Sequence, residues 1–284
     1  MSTFATAFCC VSTYRPALGW CRPASGWCAQ RQAGDFCLVK RIHLRETDST
    51  SNHLRRLLDE GEQMEEFTLV DADSQTAGRG QRGNHWESEA GANLTFTLLC
   101  RPAFLPPNRG WAISEAMALA ICEAIDKLPL PQPDLLRIKW PNDIYYGDRK
   151  LSGTLVECDL QGGRIGACLI GTGINVNQTL FRSEAPNPVS LKQILGVDVE
   201  REALLQRVAQ AFQLLYNRLR EEGAEACHDT YIARLYRRYG FHPYADAEGS
   251  FLAEVVGIEP TGHLLLRDSN GLLRRYAFKE VTFK

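Results

Sequence analysis

Two periodicities alternate along this chain. Between residues 109 and 128, Ala112, Ala116, Leu119, Ala120 and Ile125 recur at helical spacing and predict a long central helix, ended by Pro129, Pro131 and Pro133. Residues 201–222 and 224–238 repeat that spacing with a Leu/Val/Phe stripe, and residues 51–59 predict a shorter helix. Between these lie strand-like runs at residues 66–70, 93–100, 135–140, 151–158 and 165–170, with Gln161-Gly162-Gly163-Arg164 as a hairpin turn between the last two. From Gly240 the pattern shortens to strands at 251–258, 263–267 and 272–278, split by Thr261-Gly262 and Ser269-Asn270-Gly271. The expected organisation is α+β, with a substantial domain over 41–239 and a small β domain over 240–284.

Residues 1–40 are different. They are rich in Ser, Arg, Pro and Gly, contain Asp35 as their only acid, and show no period. No basic residue precedes the apolar stretch 4–11, so a secretory signal is not expected. The preferred reading is a disordered extension, arising from a start codon set too far upstream, whose removal (residues 1–38) leaves activity intact. An organellar transit peptide is the alternative. No helix-turn-helix pattern is present there.

Composition excludes more than it assigns. The 284 residues are 44% hydrophobic and carry a formal net charge of −2, against the basic balance of a general nucleic-acid binder. No apolar run reaches transmembrane length. Half of the ten cysteines fall in the first forty residues, and none forms a CxxC pair, so a zinc site is not expected. Those in strands and helices (Cys100, Cys122, Cys158, Cys168, Cys227) read as small core residues in a reducing compartment.

Four polar stretches carry the chemistry. In Gly78-Arg79-Gly80-Gln81-Arg82-Gly83, three glycines bracket two arginines, a make-up that lets backbone and guanidinium fold over an anion; Trp86 is placed to stack on a flat ring. The bland reading is a basic turn or an RGG-like segment touching RNA. Lys139-Trp140-Pro141-Asn142-Asp143 ends a strand at a proline, and Asp148-Arg149-Lys150-Leu151-Ser152-Gly153 starts the next. The bland alternative there is a hairpin with a solvated lysine and aspartate. Gly171-Thr172-Gly173-Ile174-Asn175 closes an apolar run, where something approaches closely or the strand bulges. Thr47-Asp48-Ser49-Thr50-Ser51-Asn52 precedes a helix, so capping accounts for at least one hydroxyl.

Taken in order, ETDSTSN, QTAGRGQRGNHW, KWPNDIYYGDRKLSG and GTGINVN resemble the biotin protein ligase family, from about Arg41 to the C-terminus. The resemblance implies a mixed, mainly antiparallel central sheet with flanking helices, as in class II synthetases, and a C-terminal SH3-like β-barrel. It implies a short form without the N-terminal DNA-binding domain. It also implies ATP-dependent attachment of biotin to a carrier lysine through biotinyl-5′-AMP, with Mg²⁺ bridging phosphates.

On this likeness biotin lies against Ser49, Thr50, Gln75, Gly78, Arg79, Lys150, Gly153, Leu155 and Gly171. ATP and the adenylate meet Arg79, Arg82, Trp86, Asn142, Lys150 and Asn175. Lys150 and Arg79 act on the reacting anions. Asp143 serves as base for the incoming amine or as a metal contact; the metal ligands are not assigned. Residues 76–86 are expected to be mobile without ligand and to close as a lid. Gln81, where the form GRGRRG has arginine, implies a looser hold on the adenylate.

The partner implied is the biotin carboxyl carrier protein of a carboxylase, docked by edge-strand contact. No DNA or membrane partner is expected, and the chain is a monomer or weak homodimer, cytoplasmic or, with a transit peptide, organellar. A lipoate ligase or octanoyl transferase is the enzymatic alternative. A biotin-sensing regulator or RNA-binding module is the other, against which the acidic balance speaks.

Overall fold

The computed structural model describes residues 40–80, 85–182 and 187–284, together with the backbone of a two-residue ladder, Trp20–Cys21 against Cys28–Ala29. The chain divides into two compact units, Met1–Cys37 and Leu38–Lys284. The expectation of a disordered extension over residues 1–40 lies almost wholly outside the described residues.

In Leu38–Lys284 the elements run β1 (Arg41–Thr47), α1 (Thr50–Asp59), β2 (Leu69–Gln75), β3 (Leu94–Cys100), α2 (Trp111–Ile125), β4 (Leu136–Lys139), β5 (Asp143–Tyr146), β6 (Arg149–Gln161) and β7 (Arg164–Ile174). These strands form one seven-stranded sheet, in the order β1-β2-β3-β7-β6-β5-β4. Only β1 and β2 pair in parallel; every other ladder is antiparallel. Leu54 of α1 packs with Met64, Val70, Leu99 and Leu169 on one face of the sheet. Successive strand residues point to opposite faces, and all of β3 is buried, so the sheet is covered on both sides.

The remaining helices are α3 (Leu191–Leu195), α4 (Arg201–Glu222) and α5 (His228–Ala233). α2 is buried around almost its whole circumference, with only Trp111 and Glu123 outside the buried set. It packs against α4 and over β4–β6. The helix expected over 224–238 is reduced to α5. Its last turns unwind because β4 would otherwise present a bare sheet edge: Ile138 donates to the Arg234 carbonyl and accepts from the Tyr236 amide.

The long β6–β7 hairpin turns at Gly162 and Gly163, whose φ of 56° and 77° match the two-residue turn expected there. β7 does not end or bulge at Gly171-Thr172-Gly173 but runs through it to Ile174; the bulge lies in β6, between Cys158 and Leu160. The cysteine expectation also needs correction. Cys158 and Cys168 stand opposite each other in the ladder and are joined as a disulfide. Cys100, Cys122 and Cys227 are buried and free, as expected.

A separate antiparallel sheet holds β8 (His242–Asp246), β9 (Gly249–Ile258), β10 (Leu264–Asp268), β11 (Leu273–Tyr276) and β12 (Thr282–Phe283), ordered β11-β10-β9-β8-β12. No ladder between β11 and β12 closes it among the described residues, so it is an open five-stranded sheet rather than a hydrogen-bonded barrel. Among the described residues no helix is long and apolar enough to cross a membrane.

Candidate active site

A cleft of about 730 Å³ opens over β3, β6 and β7 and is lined by Ser49, Thr50, Gln75, Arg79, Trp86, Asp143, Lys150, Gly153, Leu155, Gly171 and Asn175 among others. Residues from each of the four polar stretches therefore meet in one place. Arg82 lies outside the described residues. Gly78 borders the cleft without lining it, and Asn142 is buried and absent from its surface.

The floor is a hydroxyl and amide network at the start of α1. The Thr50 amide and hydroxyl donate to Gln75 Oε1 at 2.8 and 3.2 Å, and Thr97 Oγ1 lies 2.8 Å from the Thr50 hydroxyl and 2.9 Å from that of Ser51. With its Oε1 filled, Gln75 offers the cleft donors rather than an acceptor. Ser49 occupies the N-cap yet makes no side-chain capping bond. Capping therefore does not account for its hydroxyl, contrary to the expectation from the sequence. Gly171 is needed here: a Cβ would stand 2.5 Å from Ser51 Oγ.

The opposite wall holds an ion pair. Lys150 Nζ lies 2.6 Å from Asp143 Oδ2, brought together because β5 and β6 pair through Tyr145 and Lys150. Gly153 leaves the space for it, since a Cβ would come within 3.2 Å of Asp143 Oδ1 and Lys150 Nζ. Behind the pair, Lys139 Nζ donates to Tyr145 Oη at 3.1 Å and lies over the Tyr145 and Phe283 rings. Burial pushes the Lys139 ammonium below its ordinary range, opposed by the nearby Asp143 charge.

The third side is the Gly/Arg segment. Trp86 donates its amide to the Gly78 carbonyl at 3.0 Å, and Arg79 pairs with His85 as an isolated bridge, so the segment leaves and re-enters at one point. The Arg79 guanidinium is held by Glu157 at 2.6 and 3.1 Å and by Asn52 at 3.0 Å. The Trp86 indole lies flat on Gly173, with its Nε1 buried and unpartnered. Asn175 donates its amide to the Val189 and Lys150 carbonyls at 3.1 and 3.4 Å, so it first braces this wall.

Several lining residues escaped the sequence reading: Ser51, Lys139, Phe181, Phe278 and Lys279, with Glu157 as the partner of Arg79. Lys139 opens KWPND and had a signal. Phe278 and Lys279, the latter at a left-handed φ of 71°, reach the cleft from the end of the C-terminal sheet, where no local pattern marks them. Among the described residues no three His, Cys, Asp or Glu side chains cluster as a metal site. Two carboxylates, Glu87 and Asp143, line the cleft, Asp143 beside the cationic wall, which suits Mg²⁺ arriving on substrate phosphates, since that ion needs only one or two protein carboxylates.

A cleft that sets a hydrogen-bonding floor against paired and buried cations suits activation of a small acid by a nucleotide. Comparison with known proteins agrees. Residues 44–175 match the model of the biotin/lipoate A/B protein ligase family. A biotin--[acetyl-CoA-carboxylase] ligase of Paracoccus denitrificans is 32% identical over 216 residues, covering 70% of this chain and 84% of that protein. The bifunctional ligase/repressor BirA of Bacillus subtilis is 31% identical over 220 residues, 75% of this chain and 65% of its own length, so this chain matches just under two thirds of that relative. The solved biotin protein ligase of Aquifex aeolicus, in complex with biotin and ATP, superposes with a TM-score of 0.71 at 25% identity, covering 87% of this chain and 99% of that one. The chain belongs to the biotin/lipoate A/B protein ligase family, on the branch of the biotin protein ligases.

Proposed function

We propose that this protein joins biotin to a lysine of a biotin carrier domain at the expense of ATP, through a biotinyl-5′-adenylate. The observation that carries the reading is the meeting of Ser49, Thr50, Gln75, Arg79, Asp143 and Lys150 in one cleft. Two halves of the reaction follow from it.

In the first, a biotin carboxylate oxygen attacks the α-phosphorus of ATP, the bond to the bridging α–β oxygen breaks, and pyrophosphate leaves. Two anions must be held within attacking distance, and fixed cations offset their repulsion. Lys150 stands at the reacting oxygens, and Arg79 exchanges Glu157 for the ligand. The ureido head of biotin rests on Ser49, Thr50 and the free donors of Gln75, with Leu155 along its apolar chain. Trp86 supplies a face for adenine. Mg²⁺, arriving with ATP, would neutralise phosphate charge beside Asp143.

In the second half, a carrier lysine attacks the acyl carbon, the amide forms, and AMP leaves. That amine must be neutral, and Asp143, beside Lys150 in the cleft, is the candidate to take its proton. The relatives' names support a carboxylase carrier as the acceptor.

The test is incubation of the full chain with ATP, biotin and a biotin carrier domain. The carrier gains the mass of one biotinyl group with release of pyrophosphate and AMP. Lipoate in place of biotin gives neither. Pyrophosphate release with lipoate and not with biotin would assign the protein to the other branch of the family.

A further inference from the structure

The loop 140–142 joins β4 to β5 and carries Lys139 on one side and Asp143 on the other. The ladder pairs Lys139 with Asp143 at its two ends, and three contacts from elsewhere reach the loop between them. Trp140 Nε1 donates to the Gly262 carbonyl at 2.9 Å, the Tyr231 hydroxyl donates to the Pro141 carbonyl at 2.7 Å, and the Trp140 ring meets Phe278 edge-on at 6.0 Å. Two of the three come from the C-terminal sheet and its turns.

Gly262 is wedged. Its φ is +88°, and a Cβ on it would stand 2.7 Å from Trp111 Cε3. Trp111 cannot yield freely, because its Nε1 donates to Glu115 Oε1 at 2.9 Å; that buried carboxylate oxygen also lies 2.8 Å from His228 Nδ1. The turn thus sits on a braced indole and presents its carbonyl to a second one, which is buried.

We infer that the Thr261-Gly262 turn is a positioning element for adenylation: it holds loop 140–142 so that Lys139 and Asp143 keep their places beside Lys150. The inference rests on the ligase reading above. Gly262 and Trp140 touch no ligand in it and act through their neighbours. The biotin floor, built from α1, β2, β3 and β7, has no part in this chain of contacts. Adenylation and biotin binding should therefore separate when the turn is disturbed.

The experiment uses the full chain with two variants, Trp140→Phe and Gly262→Ala. Trp140→Phe keeps an aromatic ring and removes the donor; Gly262→Ala pushes the turn off Trp111. Three quantities are measured: the biotin Kd without ATP, the single-turnover rate of pyrophosphate release at saturating ATP, and the thermal midpoint. The expected result is a biotin Kd within about twofold of wild type, and adenylation slowed about tenfold in Trp140→Phe and further in Gly262→Ala. The double variant should be no slower than the slower single, since both break one contact. An unchanged rate in folded Trp140→Phe overturns the inference. So does a rate that falls only in proportion to lost biotin affinity or to the unfolded fraction. Wild type that releases no pyrophosphate with biotin removes the ligase reading itself, and this inference with it.

Discussion

Replacing Gly173 with alanine places a methyl where the Trp86 indole lies. The ideal Cβ stands 2.2 Å from Trp86 Cε2 and 2.5 Å from both Cζ2 and Nε1. Carbon atoms rest at about 3.5–4.0 Å, so one side must retreat by more than about 1 Å. The strand cannot: Gly173 is laddered to Thr95 on β3 and to Gly153 on β6, and its carbonyl accepts from Ser152 Oγ at 2.7 Å. Trp86 is therefore displaced. Re-exposing about half of a tryptophan's ~200 Å² of buried surface, at ~25 cal/mol per Å², costs about 2.5 kcal/mol as an upper bound. The Gly/Arg segment should then spend roughly ten to sixty times longer open. Limited trypsinolysis at Arg79 reads that population directly when opening is fast relative to cleavage. Gly173→Ala should be cut at Arg79 roughly tenfold faster or more, while cleavage outside residues 76–86 stays as in wild type. Equal cleavage rates at Arg79 would show that Trp86 does not hold the segment.

Three further outcomes follow from the same geometry. Gly153→Ala crowds Lys150 Nζ and Asp143 Oδ1, each 3.2 Å from the new methyl, and should slow adenylation about tenfold with little change in the thermal midpoint; a normal rate would separate the ion pair from the reaction. Gly171→Ala forces Ser51 off its bond to Thr97 and should weaken biotin binding by equilibrium dialysis by about 1–2 kcal/mol, whereas unaltered affinity would remove the hydroxyl floor from the biotin site. The hydrogen bond to Glu115 raises the His228 pKa above its ordinary value, so the charged form stabilises the fold. That stability is fully present below about pH 6.5 and is lost as pH rises through the raised value. Thermal midpoints should fall over that interval in wild type, and His228→Gln should flatten the slope; parallel profiles would refute the pairing.

What the sequence revealed was what depends on neighbours close along the chain. The α4 stripe and the Gly162-Gly163 turn were legible because periodicity and positive φ are local properties. At Gly171-Thr172-Gly173 the close approach read from the glycines is present, but what approaches was not legible because it is remote: Ser51 and Trp86, from distant segments, press on a strand that continues beneath them to Ile174. The helix over 224–238 obeyed its local spacing only as far as Ala233, after which the bare edge at β4 took the backbone. Pairing of Cys158 with Cys168 depends on the ladder register, and the open C-terminal sheet on β12, a two-residue strand too short to carry a pattern. In the cleft, the motifs named Arg79, Lys150 and the polar floor residues that line it. Glu157, Phe278 and Lys279 entered only through tertiary packing.

Single-turnover pyrophosphate release from biotin and ATP, compared between the wild-type chain and Lys150→Ala, reads out the part Lys150 plays in joining the two anions. The convergence of Arg79, Lys150 and the hydroxyl floor predicts about one equivalent released per wild-type chain. In the variant the rate should fall by about 10²–10³ while the thermal midpoint is retained. Undiminished release by Lys150→Ala would contradict the account.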